Sequence, residues 1–324
     1  MTQPTAQPAT AAPPPRRFLA LREDLPRWEV LFYGAFCIVL SLLVWWFVTR
    51  GESEQRILSY TVLPSPGETL GAFSSLWFDR ALTRNTVATL WRVVLGFGLA
   101  AVIGIPLGIL CGCFSRVQAF FAPLSIFGRN IPVAALIPLT FSLFGIGEFQ
   151  KVMLLFIASV AFVFSDTARA ISDVSNQYID TAYTLGASRR QVIVKVLVPL
   201  AMPSVFNSLR LLFGLAFGYI MLGELVTIGD AGGLGHIINV SMRRGPREHI
   251  LLVLLIIPLV ALAIDALLFW VQRELFPHRY KGTGFLHRGL QALFHIWEDI
   301  THAIWRRPVP PTSTPAPHHE PKQP

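Results

Sequence analysis

The stretch SDVSNQYIDTAYTLGASRRQVIVKVLVP, residues 172–199, is too polar to cross a bilayer and too regularly patterned to be a loose linker. Ile171, Val174, Tyr178, Ala182 and Leu185 recur at three- and four-residue steps, which predicts a helix with one apolar stripe. Gly186 stands where that helix must end with a residue at positive φ. Ser188, with Gln191 three residues on, has the form of a capping box that starts a second helix, and Pro199 is expected to end it. Helix, glycine turn and a second helix with Arg189 and Arg190 at its start make a rigid knob. An ordinary hairpin lying on a membrane surface would share this pattern.

The knob interrupts a strongly apolar chain. Of 324 residues 53% are apolar and only 14% charged, against roughly 25% in soluble proteins, and mean hydropathy is +0.53. Lys and Arg number 27 and Asp and Glu 19, a surplus of 8 that on such a chain anchors loops to anionic lipid rather than binding nucleic acid. Apolar runs at Val30–Val48, about Thr86–Phe114, Val117–Phe144, Val152–Phe164, Pro203–Ile228 and Ile250–Val271 predict six membrane spans and an all-α bundle. Gly, Pro and Arg inside several runs are tolerated where neighbouring helices or a water-filled path satisfy the freed groups.

An even number of spans places both termini on one side. Basic clusters before the first span (Arg16, Arg17, Arg22, Arg27) and after the last (Arg273, Arg279, Lys281, Arg288) make that side the cytoplasm, and the knob falls there too. Arg243, Arg244 and Arg247 dissent, since this topology puts them outside. Residues 1–27 read as a disordered basic tail, 28–59 as the first span with the start of an outer loop, 60–275 as the core, 276–307 as a basic segment with an amphipathic helix, and 308–324 as a disordered Pro-rich tail. Leu286, Leu290, Leu293, Trp297, Ile300 and Ile304 form one face of that amphipathic helix, which suits the inner membrane surface or, alternatively, a seam against another subunit.

In the knob, Asp180-Thr181-Ala182, then Gly186, then Val196 and Pro199 are spaced as in the Glu-Ala-Ala loop of ABC importer permeases, which the segment resembles, with Asp180 for the usual Glu and Thr181 for the first Ala. Leu63-Pro64-Ser65-Pro66, Thr89-Leu90-Trp91-Arg92, Gly104-Ile105-Pro106-Leu107-Gly108, Ile131-Pro132, Gly145-Ile146-Gly147, Leu209-Arg210, Gly223-Glu224 and Gly233-Leu234-Gly235 are similar to the permeases of nitrate, sulfonate, taurine and bicarbonate importers over about residues 60–275. The resemblance implies a type I importer core with six transmembrane helices in a bacterial inner membrane. It also implies a homodimer, two cytosolic ATPase subunits gripping Asp180, Thr181, Ala182, Gly186, Ala187, Ser188, Arg189, Arg190, Val196 and Pro199, and a periplasmic or lipid-anchored substrate-binding protein. The resemblance favours as solute a small oxyanion such as nitrate, a sulfonate or bicarbonate, although similar permeases also serve vitamin precursors and aromatic acids. The rival class is a self-sufficient channel or secondary carrier, which needs no cytosolic knob and would carry paired intramembrane ionisable groups.

Arg92, Arg129 and Arg210 lie inside apolar runs, where a charge costs at least about 2.5 to 3.5 kcal/mol. Either one or more faces a path and attracts an anionic substrate, or they snorkel to headgroups or pair with Asp166, Glu224 or Asp265. Arg92, Arg129 and Glu224, with Gly145 and Gly147 at a backbone bend, are the candidate path residues. No Gly-x-Ser-x-Gly, His-Glu-x-x-His or Walker-type Gly-Lys-Thr occurs, so no catalytic site is expected, and any ATP and Mg belong on a separate chain. Cys37, Cys111 and Cys113 lie in apolar runs and neither pair up as a framework nor form a metal site.

Overall fold

The computed structural model describes residues 26–51, 56, 58, 62–226 and 232–277, and among these every regular element is helical. The proposed amphipathic helix at 285–307 and the two tails fall outside the described residues. The chain divides into two compact units, Met1–Gly71 and Ala72–Pro324.

The first unit holds α1 (Arg27–Val48) and the short α2 (Pro66–Gly71). α1 is long and apolar enough to cross a membrane. Its end is tied back to the following segment, because Trp45 Nε1 donates to Pro64 O at 3.0 Å. Ser65 and Glu68 form a reciprocal cap on α2, Ser65 N donating to Glu68 Oε2 at 2.7 Å and Glu68 N to Ser65 Oγ at 3.3 Å. Arg56 grips the same carboxylate with two nitrogens, at 3.2 and 2.9 Å, and holds its pKa down to about 2.

The second unit begins with α3 (Phe73–Phe78) and α4 (Leu82–Cys113). It continues through α5 (Ser115–Asn130), α6 (Val133–Phe144), α7 (Glu148–Ser172) and α8 (Asn176–Thr184). Then come α9 (Arg189–Gln191), a π-helical stretch (Val192–Leu197), α10 (Val198–Leu225), α11 (Leu234–Arg244) and α12 (Arg247–Leu275). Five helices or helix runs, α1 included, suit a span, and a sixth span results if α5 and α6 count as one.

α4 and α7 run parallel at the centre, and glycine lets them do so at close range. A Cβ added at Gly96, Gly104, Gly108 or Gly112 would stand 2.5 to 2.8 Å from Leu155, Val163, Thr167 or Ile171 respectively. The four- and eight-residue steps put these glycines on one face, where close backbone approach replaces the hydrophobic drive that lipid cannot supply. α10 packs on this pair, and the core around Val93, Ala100, Leu155, Phe217 and Ile220 is closed by Leu234 and Val253 from α11 and α12.

Two sequence expectations are corrected. The apolar run 117–144 is not a straight span: α5 and α6 meet at 101° across Ile131-Pro132. Pro132 has no N–H to donate and holds Ile131 extended (φ −70°, ψ 123°), so the α ladder stops there. Pro199 does not end the second arm of the knob either. Residues Arg189–Leu225 form one continuous helical run, with Pro199 in the first turn after the π-helical stretch. A wider π turn shifts the hydrogen-bond ladder just where proline withdraws its donor.

Candidate functional site

The knob closes with local hydrogen bonds. Gly186 has φ +80°, its N–H donates to Tyr183 O at 2.9 Å, and Ala187 N donates to Ala182 O at 3.0 Å, a Schellman end for α8. Ser188 N donates to Gln191 Oε1 at 2.8 Å and Gln191 N to Ser188 Oγ at 3.4 Å, which is the expected capping box. Asp180, Thr181, Arg189 and Arg190 are exposed, Ala182, Ala187 and Val196 are half-buried, and Pro199 is exposed on the continuing helix. The apolar stripe is covered only at its start, where Ile171 is buried in the last turn of α7; Tyr178 is 55% and Leu185 83% exposed, so the tip presents apolar side chains as well as charge.

At the other end of α4 and α7 lies a buried ion cluster. Arg92 on α4, 2% exposed, donates from Nη1 to Glu224 Oε1 at 2.5 Å and to Gly232 O at 3.1 Å. Its Nε and Nη2 reach the two oxygens of Glu148, each at 2.6 Å. Glu224, fully buried at the end of α10, also accepts from Thr89 Oγ1 at 2.9 Å and from Gly235 N at 2.9 Å. Leu234 N donates to Thr89 Oγ1 at 2.9 Å and Gly233 N to Asn85 Oδ1 at 2.6 Å. Lys151, also buried, sits 3.7 Å from Glu148. Arg92 and Glu224 persist in low dielectric because they are paired and hydrogen-bonded. Beside the cluster a cavity of about 430 Å³ is lined by Arg80, Arg84, Trp91, Arg92, Glu148 and His236.

Arg129 is in a different setting. Its Nη1 stands 3.3 Å from Asp166 Oδ1, and its guanidinium lies over the Phe162 ring at 5.1 Å. Arg129 borders an open cavity of about 650 Å³ between α5 and α7. Arg210 on α10 pairs with Asp265 on α12 at 2.7 Å and donates to Gln272 Oε1 at 3.1 Å, a tie between two spans.

Residues 104–279 match the family described as binding-protein-dependent transport system inner membrane component. A putative ABC transporter permease of Methanocaldococcus jannaschii is 31% identical over 261 residues, 81% of this chain and 92% of that protein. This chain belongs to that family. The taurine transport system permease of Escherichia coli is 29% identical over 266 residues, covering 81% and 94% of the two chains. The bicarbonate transport system permease of Synechococcus elongatus is 32% identical over 222 residues, covering 68% and 76%. In fold the permease resembles a chain of the MetNI methionine ABC transporter in an inward-facing conformation, with TM-score 0.55, 23% identity and coverage of 62% and 97%.

Within the permease, the structure gathers motif pieces that are far apart in sequence. Arg92 and Glu224 meet in one cluster with the Gly233-Leu234-Gly235 turn, while Gly145 (φ +74°) and Gly147 bound the bend that delivers Glu148 to Arg92. Arg129 is not part of that group. Each intramembrane arginine takes one of the three acids named from sequence: Glu224, Asp166 and Asp265 for Arg92, Arg129 and Arg210. Glu148, Thr89, Asn85 and Lys151 were not singled out as partners. Glu148 and Lys151 stand at the edge of an apolar run, where a charge ordinarily reaches water. Only the packing of α7 against α4 shows that Lys151 is buried.

Proposed function

We propose that this permease is the membrane-crossing subunit of an importer whose ATP is bound and hydrolysed, with Mg, on separate ATPase chains. Two copies form the pore, two cytosolic ATPase subunits hold the knob 180–199, and a periplasmic or lipid-anchored binding protein delivers the solute. Both termini lie in the cytoplasm of a bacterial inner-membrane protein. The solute is a small oxyanion of the nitrate, sulfonate, taurine or bicarbonate kind, in line with the relatives' names. Arg129 borders the path. Arg92 and Glu224, with Gly145 and Gly147, form its outer end, where the buried cluster holds four chain segments together.

The observation that carries this reading is the continuity of the knob's second arm with a span. A push on Arg189–Gln191 acts on the same helical run that reaches Leu225 and Glu224, so movement at the ATPase passes into the span along one backbone element. A channel or carrier has no use for such a lever. Gly186→Val tests it. A β-branched residue is strained at φ +80°, so the second arm is misdirected while the spans still insert. ATP-dependent uptake by vesicles holding permease, ATPase and binding protein is expected to fall at least about tenfold with unchanged membrane insertion; uptake at the wild-type rate would refute the lever.

A further inference from the structure

Arg129 occupies the last turn of α5, two residues before the break at Ile131-Pro132. Irregular backbone at membrane depth is tolerated where it is buried in protein or lines a wet cavity, and Arg129 borders one of about 650 Å³. The volume lies within the range of small-ligand sites, roughly 300 to 1,000 Å³. Its charged lining is Arg129 and Arg169, both positive, and Asp166, which pairs with Arg129 from outside the lining, offsets one of them to leave a balance of +1. The hydroxyls of Ser125 and Ser165 also line it and bond one another, and Ser165 further donates to Ala161 O at 2.6 Å. Neutral donors of this kind can turn toward an arriving oxygen.

The ion pair itself is loose. At 3.3 Å through one nitrogen it is longer than the 2.7 to 2.9 Å of strong charge-assisted bonds, and it does not use the two-pronged fork that Arg92 gives Glu148. Phe162 holds the guanidinium plane while Asp166 supplies partial charge balance, and 33% of the Arg129 side chain remains accessible. Such a guanidinium is pre-oriented for a planar or tetrahedral oxyanion.

We infer that the cavity between α5 and α7 binds a small oxyanion of single negative charge. Arg129 is its main ligand and the Ser125 and Ser165 hydroxyls are neutral donors. Asp166 is the resident counter-ion that the anion displaces from Arg129 and that, by reclaiming Arg129, drives it off again. A transport site must bind weakly enough to release, and a competing carboxylate beside the ligand provides that. This rests on the permease reading above, but is tested by binding alone.

The measurement is binding of ethanesulfonate, and separately of nitrate in competition, to the full-length protein in nanodiscs without ATPase, followed by ligand-observed NMR. Arg129→Gln is expected to weaken binding about tenfold or more, and the Ser125→Ala/Ser165→Ala pair a few-fold. Asp166→Asn is expected to tighten binding several-fold, and the Arg129→Gln/Asp166→Asn double variant to bind as weakly as Arg129→Gln alone. Arg129→Lys, which keeps the charge, gives an intermediate loss and serves if the Gln variant does not fold. A purely structural pair predicts the opposite pattern: both single variants weakened alike and the neutral double restored. That pattern, or no saturable binding by the wild-type protein, overturns the proposal. Binding that survives alongside a wild-type Gly186→Val uptake rate would sink the lever and leave this site standing.

Discussion

Arg92 and Arg129 are the same residue type inside two apolar helices of one chain, yet they are held in opposite ways. Arg92 is 2% exposed, engages two carboxylates and a backbone carbonyl, and closes a cluster that three other segments enter. Arg129 meets one carboxylate at 3.3 Å and faces a cavity. A buried charge held by several partners fixes structure, because removing it strands the fully buried Glu224. A charge that keeps accessible donors can exchange partners, which is what handling a mobile anion requires.

The largest expected effect breaks that contrast from the Arg92 side. Arg92→Met leaves Glu224 buried with only neutral donors and frees Glu148, and the loss of one partner of a buried pair costs about 3 to 5 kcal/mol. Thermal unfolding in detergent should show a large drop in Tm, or no folded protein at all, whereas Arg129→Gln in the same assay should stay within about 1 kcal/mol of wild type, as for an accessible pair. Equal losses at the two sites would erase the distinction. An intermediate effect is expected at the packing face that aligns both sites. Gly108→Val places a Cβ 2.5 Å from that of Thr167 and should cost about 1 to 3 kcal/mol, while Gly98→Ala, which meets nothing within 4 Å, should be neutral or slightly stabilising. Tm values of the two variants check this.

The smallest effect lies in the first unit and concerns another arginine–carboxylate pair, one whose carboxylate stays partly open to water. Arg56 lowers the Glu68 pKa from the ordinary value of 4.5 to about 2. A depressed carboxylate pKa stabilises the folded state fully above the ordinary value, and that contribution is lost as pH falls from about 4.5 through about 2. The Glu68 side chain is 35% exposed, so water screens the pair and the effect on stability is slight. Carboxyl-carbon NMR should give a Glu68 midpoint near 2 that moves up toward 4.5 in Arg56→Gln; an unmoved midpoint would assign the shift to the Ser65 cap instead.

What was legible in the sequence was what is written within a few residues. The spans follow from runs of apolar side chains that lipid accepts in any rotation. The turn at Gly186 and the box at Ser188 and Gln191 follow from hydrogen bonds that reach only three to five residues, so the motif contains its own partners. Tertiary structure alone decided the rest. Whether Pro199 ends a helix or rides in one depends on the π-helical stretch before it and on the span that continues beyond it. Gly108 reads as a weak helix residue until Thr167 is packed against it. The assignment of acids to Arg92, Arg129 and Arg210 rests on contacts made across 132, 37 and 55 residues of chain, counted from Glu224, Asp166 and Asp265. Composition shows that each charge needs a partner; only the packing of α4, α7 and α10 brings two carboxylates to Arg92 and leaves Arg129 with one.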